Sequence, residues 1–433
     1  MYEKSSGILR MVYEYKNGPS FEEVVSFPIN DKKLSHDTER ALDQAFRLIF
    51  LLSGISYYKA YVPARLRCQA FPLGPAMAGF FQKVYLHGLG EFAFRNQLNL
   101  QDRIHFVCDK VQADPPVALN ASRCLLVPVG GGKDSIVTLE TLRQAGEKMI
   151  MFALGTHGGV AAPIQDTFAE SGLPCLLAKR TIAKNLLELN KLDALNGHIP
   201  ITAIISSIAV ATAILHELNG VVLSNEHSAS APNLSMDGFA VNHQYSKSLD
   251  FEIDFSDYIH NYLSPDLAYF SLLRPLAEAE ITRRFARLEN YHQKFRSCNA
   301  AFRQDPGQRE KYWCCNCPKC RFVFLALAPF IDREKLVQIF QKNLLDDNSQ
   351  IAGYNELCGV SAHKPFECVG EIEESVLLMQ KLHRMQAWCR DVVVNTVGQA
   401  TEMNDSDFHG KYQALFQTRH RHRLSDHFMK ILD

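Results

Sequence analysis

The stretch CLLVPVGGGKDSIVTLETLRQ, residues 124–144, decides the fold. Cys124 to Val129 is short and almost wholly apolar, the pattern of a strand buried on both faces. Ile136 to Gln144 has helical spacing and stops at Gly146, a residue suited to closing a helix. Between them stand Gly130, Gly131, Gly132, Lys133, Asp134 and Ser135. Glycines between a strand and a helix let backbone N–H groups crowd an anion, and the helix start adds favourable partial charge. Ser135 is able to donate to a phosphate oxygen. Asp134 is out of place beside a polyanion unless it holds a cation, which implies Mg²⁺. The spacing is not the GxxxxGK[ST] of a Walker loop.

Outward from this loop, strands and helices alternate. Lys148 to Leu154, Cys175 to Ala178 and Val221 to Ser224 read as further strands, Thr181 to Leu189 and Ile201 to Leu218 as helices. That alternation predicts an α/β fold, a doubly wound parallel sheet covered on both faces. On the N-terminal side, DPPVALN (Asp114 to Asn120) reads as a turn or linker. It closes a mixed region, 1–120, with an amphipathic helix from Asp37 to Leu52 and a Gly-rich element at His87 to Glu91; this region is expected to bind substrate. The nucleotide-binding domain spans 121–330. Beyond it, 331–433 reads as mainly helical, with Glu373 to Trp388 the clearest helix and HFMKILD a short closing one.

The bulk properties narrow the classes. Of 433 residues, 47% are apolar and 21% charged, an ordinary globular composition. A net charge of −1 supplies no general attraction to nucleic acid. No long apolar run is free of charges, so no membrane span is expected. The opening MYEKSSGILRMVYEYKNG has no apolar signal core, which leads us to expect a cytoplasmic protein. Twelve cysteines in a reducing compartment are then thiols rather than disulfides.

One group of cysteines reads differently. Cys314, Cys317 and Cys320 share a two-residue spacing, Cys315 adds a sulfur, and Cys298 lies upstream. Cys298, Cys314, Cys317 and Cys320 form the favoured set for tetrahedral Zn²⁺, structural because four thiolates leave no open position. The same spacing also occurs in iron–sulfur sites. Elsewhere, Ser224, Asn225, Glu226 and His227 follow a strand, where a doubly wound sheet lines its ligand crevice. His198, in Asn196-Gly-His-Ile-Pro200, precedes a helix and is a candidate for the same crevice. Lys247 in QYSKS suits a carboxylate or phosphate, and equally a solvated surface. Cys368 sits in KPFECVGE, in a C-terminal segment able to fold over the site.

The loop resembles the SGGxDS signature of the PP-loop ATP pyrophosphatases, within the HUP-like folds, over about Ser122 to Phe330. The signature's first serine is Gly130 here, so one phosphate contact passes to backbone or is lost. The cysteine spacing resembles the zinc knuckle of 7-cyano-7-deazaguanine synthase. Taken with NGHIPITA (196–203), SNEHSA, QYSKS (244–248), WCCNCPKCRFVFL (313–325), KPFECVGE (364–371) and HGLGEF (87–92), the chain resembles the MurL family, UDP-N-acetylmuramoyl-L-alanyl-L-glutamate epimerases.

That resemblance implies ATP-dependent inversion of the terminal L-glutamate of UDP-MurNAc-L-Ala-L-Glu, a peptidoglycan precursor, with ATP split to AMP and diphosphate. The chemistry is coherent. A Cα–H beside an ionised carboxylate is a very poor acid, because its removal sets a second negative charge beside the first. Adenylating the α-carboxylate removes that charge and lets the carbanion spread as an enolate. Acid–base groups are then needed at both faces of Cα; Cys368, His227, His198 and Glu226 are the candidates. Competing readings are a deazapurine synthase, a tRNA-modifying PP-loop enzyme and an ATP sensor without turnover. The first leaves the long flanking regions unexplained, and the second lacks a basic or aromatic RNA platform.

Overall fold

In a computed structural model, all residues are described except 31, 157, 190–193, 237, 304–305, 362–364 and 433. An eight-stranded sheet runs through the molecule. Its strands, numbered along the chain, are β1 (Tyr2–Glu3), β2 (Ile8–Glu14), β3 (Ser20–Ser26), β4 (Ser122–Pro128), β5 (Met149–Gly155), β6 (Cys175–Thr181), β7 (Leu218–Leu223) and β8 (Ala268–Ser271). Their spatial order is β1-β2-β3-β6-β5-β4-β7-β8. The five strands from β6 to β8 are parallel, and the N-terminal three join antiparallel. The architecture is mixed α/β with a large, mostly parallel central sheet and a helical C-terminal region.

The strand at the centre explains itself. Leu125 and Val127 face one core, with helix Lys133–Gln144 and the C-terminal helices. Leu126 faces another, with helices Ile201–Leu215 and His36–Ser53. A strand buried on both sides has no polar face to show, hence its unbroken apolar run. Helix Ile201–Leu215 is apolar nearly all round because it lies between the sheet and helix His36–Ser53; twelve of its fifteen residues are buried.

Chain direction sets the position of the site. From β4 the chain proceeds to β5 and β6 on one side, then crosses back to β7 and β8 on the other. The order therefore reverses between β4 and β7. In open parallel sheets the crevice at such a reversal, beyond the carboxyl ends of the strands, is where ligands bind. The glycine loop follows β4, and Ser224 to His227 follow β7.

The sheet crosses the boundary drawn at residue 120, since β3 pairs with β6 from Val24↔Thr181 to Ser26↔Lys179. This join holds a buried ion pair. Arg180 Nε and Nη2 bond Glu23 Oε1 and Oε2 at 2.7 and 3.0 Å, and Tyr57 Oη donates to the same carboxylate at 2.8 Å. Glu23 is 0% exposed. Removing one partner of such a pair typically costs about 3–5 kcal/mol, because the other charge is left buried and alone.

Several expected boundaries shift. The segment Thr181 to Leu189 is not helical throughout: β6 extends to Thr181 because the N-terminal hairpin pairs with it, and the helix begins at Lys184. Helix Ile201 to Leu218 ends instead at Leu215, where Glu217 takes a left-handed φ of 54° without a glycine to signal it. Leu218 already opens β7. Helix Glu373 to Trp388 ends at His383 and gives way to turns. The closing helix is Asp426–Leu432, and Asp433 lies outside the described residues. Among the described residues, no helix is long and apolar enough to cross a membrane.

Candidate active site at the strand-order reversal

The loop after β4 has the shape an anion needs. Gly131 takes φ +74°, and a Cβ there would come within 2.8 Å of the Pro163 backbone. Gly132 lies against Ser297 Oγ, 2.9 Å from where its own Cβ would be. Arg296 N–H donates to Gly131 O at 2.9 Å and fixes the loop from a distant segment. Gly132 is the N-cap of helix Lys133–Gln144, and no side chain caps that helix. Its first N–H groups are thus left for a ligand. A Cβ on Gly130 would meet nothing within 4 Å. Ser135 Oγ bonds Gly132 O at 3.1 Å.

Beside the loop, three carboxylates converge. Asp134, Glu226 and Glu278 each offer an oxygen within 4.8 Å of the others. They come from three segments: the loop helix, the turn after β7, and the first turn of helix Glu278–Phe285. Lys133, 2% exposed, bonds Asp134 Oδ1 at 2.5 Å and also Glu278 Oε2. Burial drives the Glu278 carboxyl well above the ordinary range, against the pull of Lys133. Burial alone would lower the Lys133 pKa, but Asp134 and Glu278 raise it. Lys133 is therefore committed to carboxylates in this state.

A second cluster lies on the far side of Lys247. Lys247 Nζ is 3.4 Å from Cys368 Sγ, and its charge also feels Glu226 and Asp134. Burial would raise the Cys368 thiol, but the Lys247 charge, a hydrogen bond with His243, and Lys319 bring it down to about 6. His243 bonds Glu91 Oε2, and the His198 ring lies tilted 40° against that of His243 with centroids 4.2 Å apart. Burial and the His243 charge lower His198 to about 4. Glu91, His198 and His243 offer ligand atoms within 4.8 Å of one another. Lys59 holds the turn before His198 through Asn196 Oδ1 at 2.5 Å and Gly197 O at 2.9 Å.

Cys368 arrives on a strap that is pinned along its length. Asn233 Nδ2 donates to Pro365 O at 3.0 Å, and Asn299 Nδ2 to Glu367 Oε1 at 2.6 Å. Phe366 packs against Phe94 and under the Arg95 guanidinium, 5.5 and 5.2 Å between centres. Lys364, in the same block, lies outside the described residues.

The two clusters share one fastener. Arg274, buried beyond β8, donates to Glu226 O at 2.7 Å and Lys247 O at 2.6 Å, and pairs with Glu252 Oε2 at 2.8 Å.

Of the residues singled out in the sequence, Gly130 to Ser135, Glu226, Lys247 and Cys368 meet around this crevice. Ser224 Oγ is buried without a hydrogen-bond partner among the described residues, and Asn225 Nδ2 is turned to Ser271 Oγ at 3.0 Å. His227 stands apart from the Cys368 cluster. Its N–H donates to Leu276 O, and its ring is half-buried near Arg419 and Glu371. Burial and the Arg419 charge lower its pKa. Sequence reading missed Glu91, His243, Glu278 and Arg274. His243 lies one residue before the quoted QYSKS block and Glu91 inside HGLGEF; Glu278 and Arg274 carry no local signal.

The cysteine expectation has a clear geometric outcome. Cys298, Cys314, Cys317 and Cys320 each offer a sulfur within 4.8 Å of the others. Cys315, with a left-handed φ of 55°, bonds Phe340 O at 3.3 Å and is not one of the four. Four converging sulfurs fit a four-thiolate metal.

Fold and site together describe an α/β protein with a glycine-rich loop at a helix start and, near it, a cluster of buried titratable side chains. Family models described as the MurL N-terminal domain and the MurL C-terminal domain match residues 1–272 and 294–410. The chain belongs to the MurL family. It is 42% identical to the UDP-N-acetyl-alpha-D-muramoyl-L-alanyl-L-glutamate epimerase of Xanthomonas oryzae pv. oryzae, over 90% of this chain and 86% of that one. Epimerases of the same name from Salinispora tropica and a Micromonospora species are 44% and 45% identical. Each alignment spans 86% of this chain, and 80% and 82% of those relatives, respectively.

Proposed function

We propose that this chain inverts the terminal L-glutamate of UDP-MurNAc-L-Ala-L-Glu to D-glutamate, using ATP to form an acyl-adenylate. What supports the reading is Lys247 standing between the loop carboxylates and the Cys368 thiol, so that activation and proton transfer share one crevice. In this reading the glycine loop, as a PP-loop, retains diphosphate. Asp134, Glu226 and Glu278 would hold Mg²⁺, whose charge would offset their buried negative charge and that of the phosphates. The substrate α-carboxylate attacks the α-phosphorus, diphosphate leaves, and the acyl group loses its charge.

His227, next to Glu226 on the turn after β7 and away from Cys368, is assigned to take the Cα proton on the opposite face, burial lowering its pKa. The electron pair passes into the enolate, and Cys368 returns a proton on the other face. Lys247 steadies the enolate oxygen. Water then releases AMP. The decisive experiment incubates the dipeptide nucleotide with and without ATP and Mg²⁺, then resolves the glutamate enantiomers after hydrolysis. D-Glutamate is expected only with ATP; equal inversion without it would overturn the reading.

The cysteine cluster is proposed to hold one structural Zn²⁺. The purified protein should carry about one tightly bound, colourless metal per chain by elemental analysis. Cys317→Ser should lose metal and soluble expression together, since binding such a metal is part of folding free energy. A brown, iron-containing protein would contradict this assignment.

A further inference from the structure

The acid assigned above needs a proton supply, and two residues that the sequence did not single out, Glu91 and His243, stand near it. Glu91 is buried on helix Gly90–Arg95, where Arg95 Nε bonds its Oε1 at 2.6 Å. Its other oxygen accepts from His243 Nδ1, with His198 Nδ1 3.8 Å away. The His243 imidazole and the Cys368 thiol are close enough to shift each other, His243 upward and Cys368 downward, while Lys247 Nζ stands 3.4 Å from the same sulfur. Phe366 docks the strap on the same short helix that carries Glu91, against Phe94 and Arg95. That contact ties the segment carrying Cys368 to the helix that carries Glu91.

We infer that Glu91 and His243 form a carboxylate–imidazole support that holds one proton in common with Cys368 and makes this thiol the acid for one face of the reacting carbon. The inference rests on the epimerase reading. The groups facing each member are consistent with it. Cys368 faces Lys247, His243 and Lys319, and Lys247 also feels Glu226 and Asp134. His243 faces Glu91 and Cys368, with the tilted His198 ring beside it. Burial would lower His243, but its bonds to Cys368 and Glu91 raise it to about 9, so it is protonated at neutral pH. His198, held low, does not compete for that proton.

The step balances. The His243 N–H proton moves to the Cys368 sulfur, and the S–H bond so formed breaks as the enolate pair makes the new Cα–H bond, leaving a thiolate and a neutral imidazole on Glu91. Solvent restores the proton before the next turnover. Cys368 touches the reacting carbon; His243 and Glu91 act through it and are positioning residues.

The test reads the thiol directly, without ATP or substrate. Alkylation of Cys368 by iodoacetamide is followed against pH by mass spectrometry of its peptide in the full chain. The wild-type rate should rise with a midpoint near about 6, the value the cluster gives Cys368. In His243→Gln the midpoint should climb toward about 8.5, the value of an ordinary thiol. Glu91→Gln should move it the same way by a smaller amount, and Glu91→Asp, which keeps the charge, should restore it. The same His243→Gln protein should still exchange the substrate α-proton with solvent while losing inversion. An unshifted midpoint in folded His243→Gln overturns the inference, as does inversion at the wild-type rate. Because alkylation needs no reaction, a failure of ATP-dependent inversion in the wild type strikes the epimerase reading separately.

Discussion

Asp134→Ala and Ser135→Ala should each lose at least about a hundredfold in turnover, and the wild-type protein is expected to convert ATP to AMP and diphosphate rather than to ADP. The magnitude is that of removing one preorganised group from a site where charge develops. Ser135 sits in the first turn of a helix that no side chain caps, and its hydroxyl now bonds only back to Gly132 O. Its loss removes a phosphate donor and leaves the core intact. Asp134 is half-exposed, so alanine there empties the carboxylate group without opening a cavity. Quench-flow chromatography of the nucleotides decides the products. ADP as the main product would remove the adenylate from the mechanism.

Deuterium should enter the glutamyl α-position from D₂O only when ATP and Mg²⁺ are present. Without acyl activation that C–H is too weak an acid for protein bases near neutral pH. Free L-glutamate should be a poor substrate, because the nucleotide sugar would supply the remote binding that orients the reacting carbon. Cys368→Ala and His227→Ala separate the two faces, each losing about a hundredfold or more in inversion, the usual scale for a positioned acid or base. Cys368→Ala still washes deuterium into the starting L-isomer, since the base remains. His227→Ala loses both exchange and inversion. Mass spectrometry with chiral separation reads both quantities. Full activity in both variants defeats the assignment of the two faces, and equal exchange without ATP defeats activation itself.

The parts legible in sequence are those whose neighbours are near in the chain. The glycine loop and its flanking strand and helix occupy some twenty consecutive residues, and local pattern suffices there. Three of the four cysteines likewise lie within seven residues, and their sulfurs do converge. The acid–base cluster was half legible. Cys368 and His198 were named, but their partners Glu91 and His243 come from separate segments, joined only by packing. The same is true of Glu278, an acidic residue at a helix start that becomes unusual only when burial sets it beside Lys133. The pairing of β3 with β6 spans more than 150 residues, and no periodicity in either strand announces it.

Arg274 has a consequence for binding. It is 0% exposed and grips the backbone carbonyls of Glu226 and Lys247, with Glu252 behind it. Those carbonyls belong to two loops that carry opposite charges toward one crevice. Loops left free would lose conformational freedom when a ligand brought their charges together, and affinity would fall by that entropy. Here a guanidinium with several fixed donors settles their separation during folding. The spacing between the Glu226 and Lys247 loops is thus set by the fold itself, so a ligand that bridged them would not have to order them.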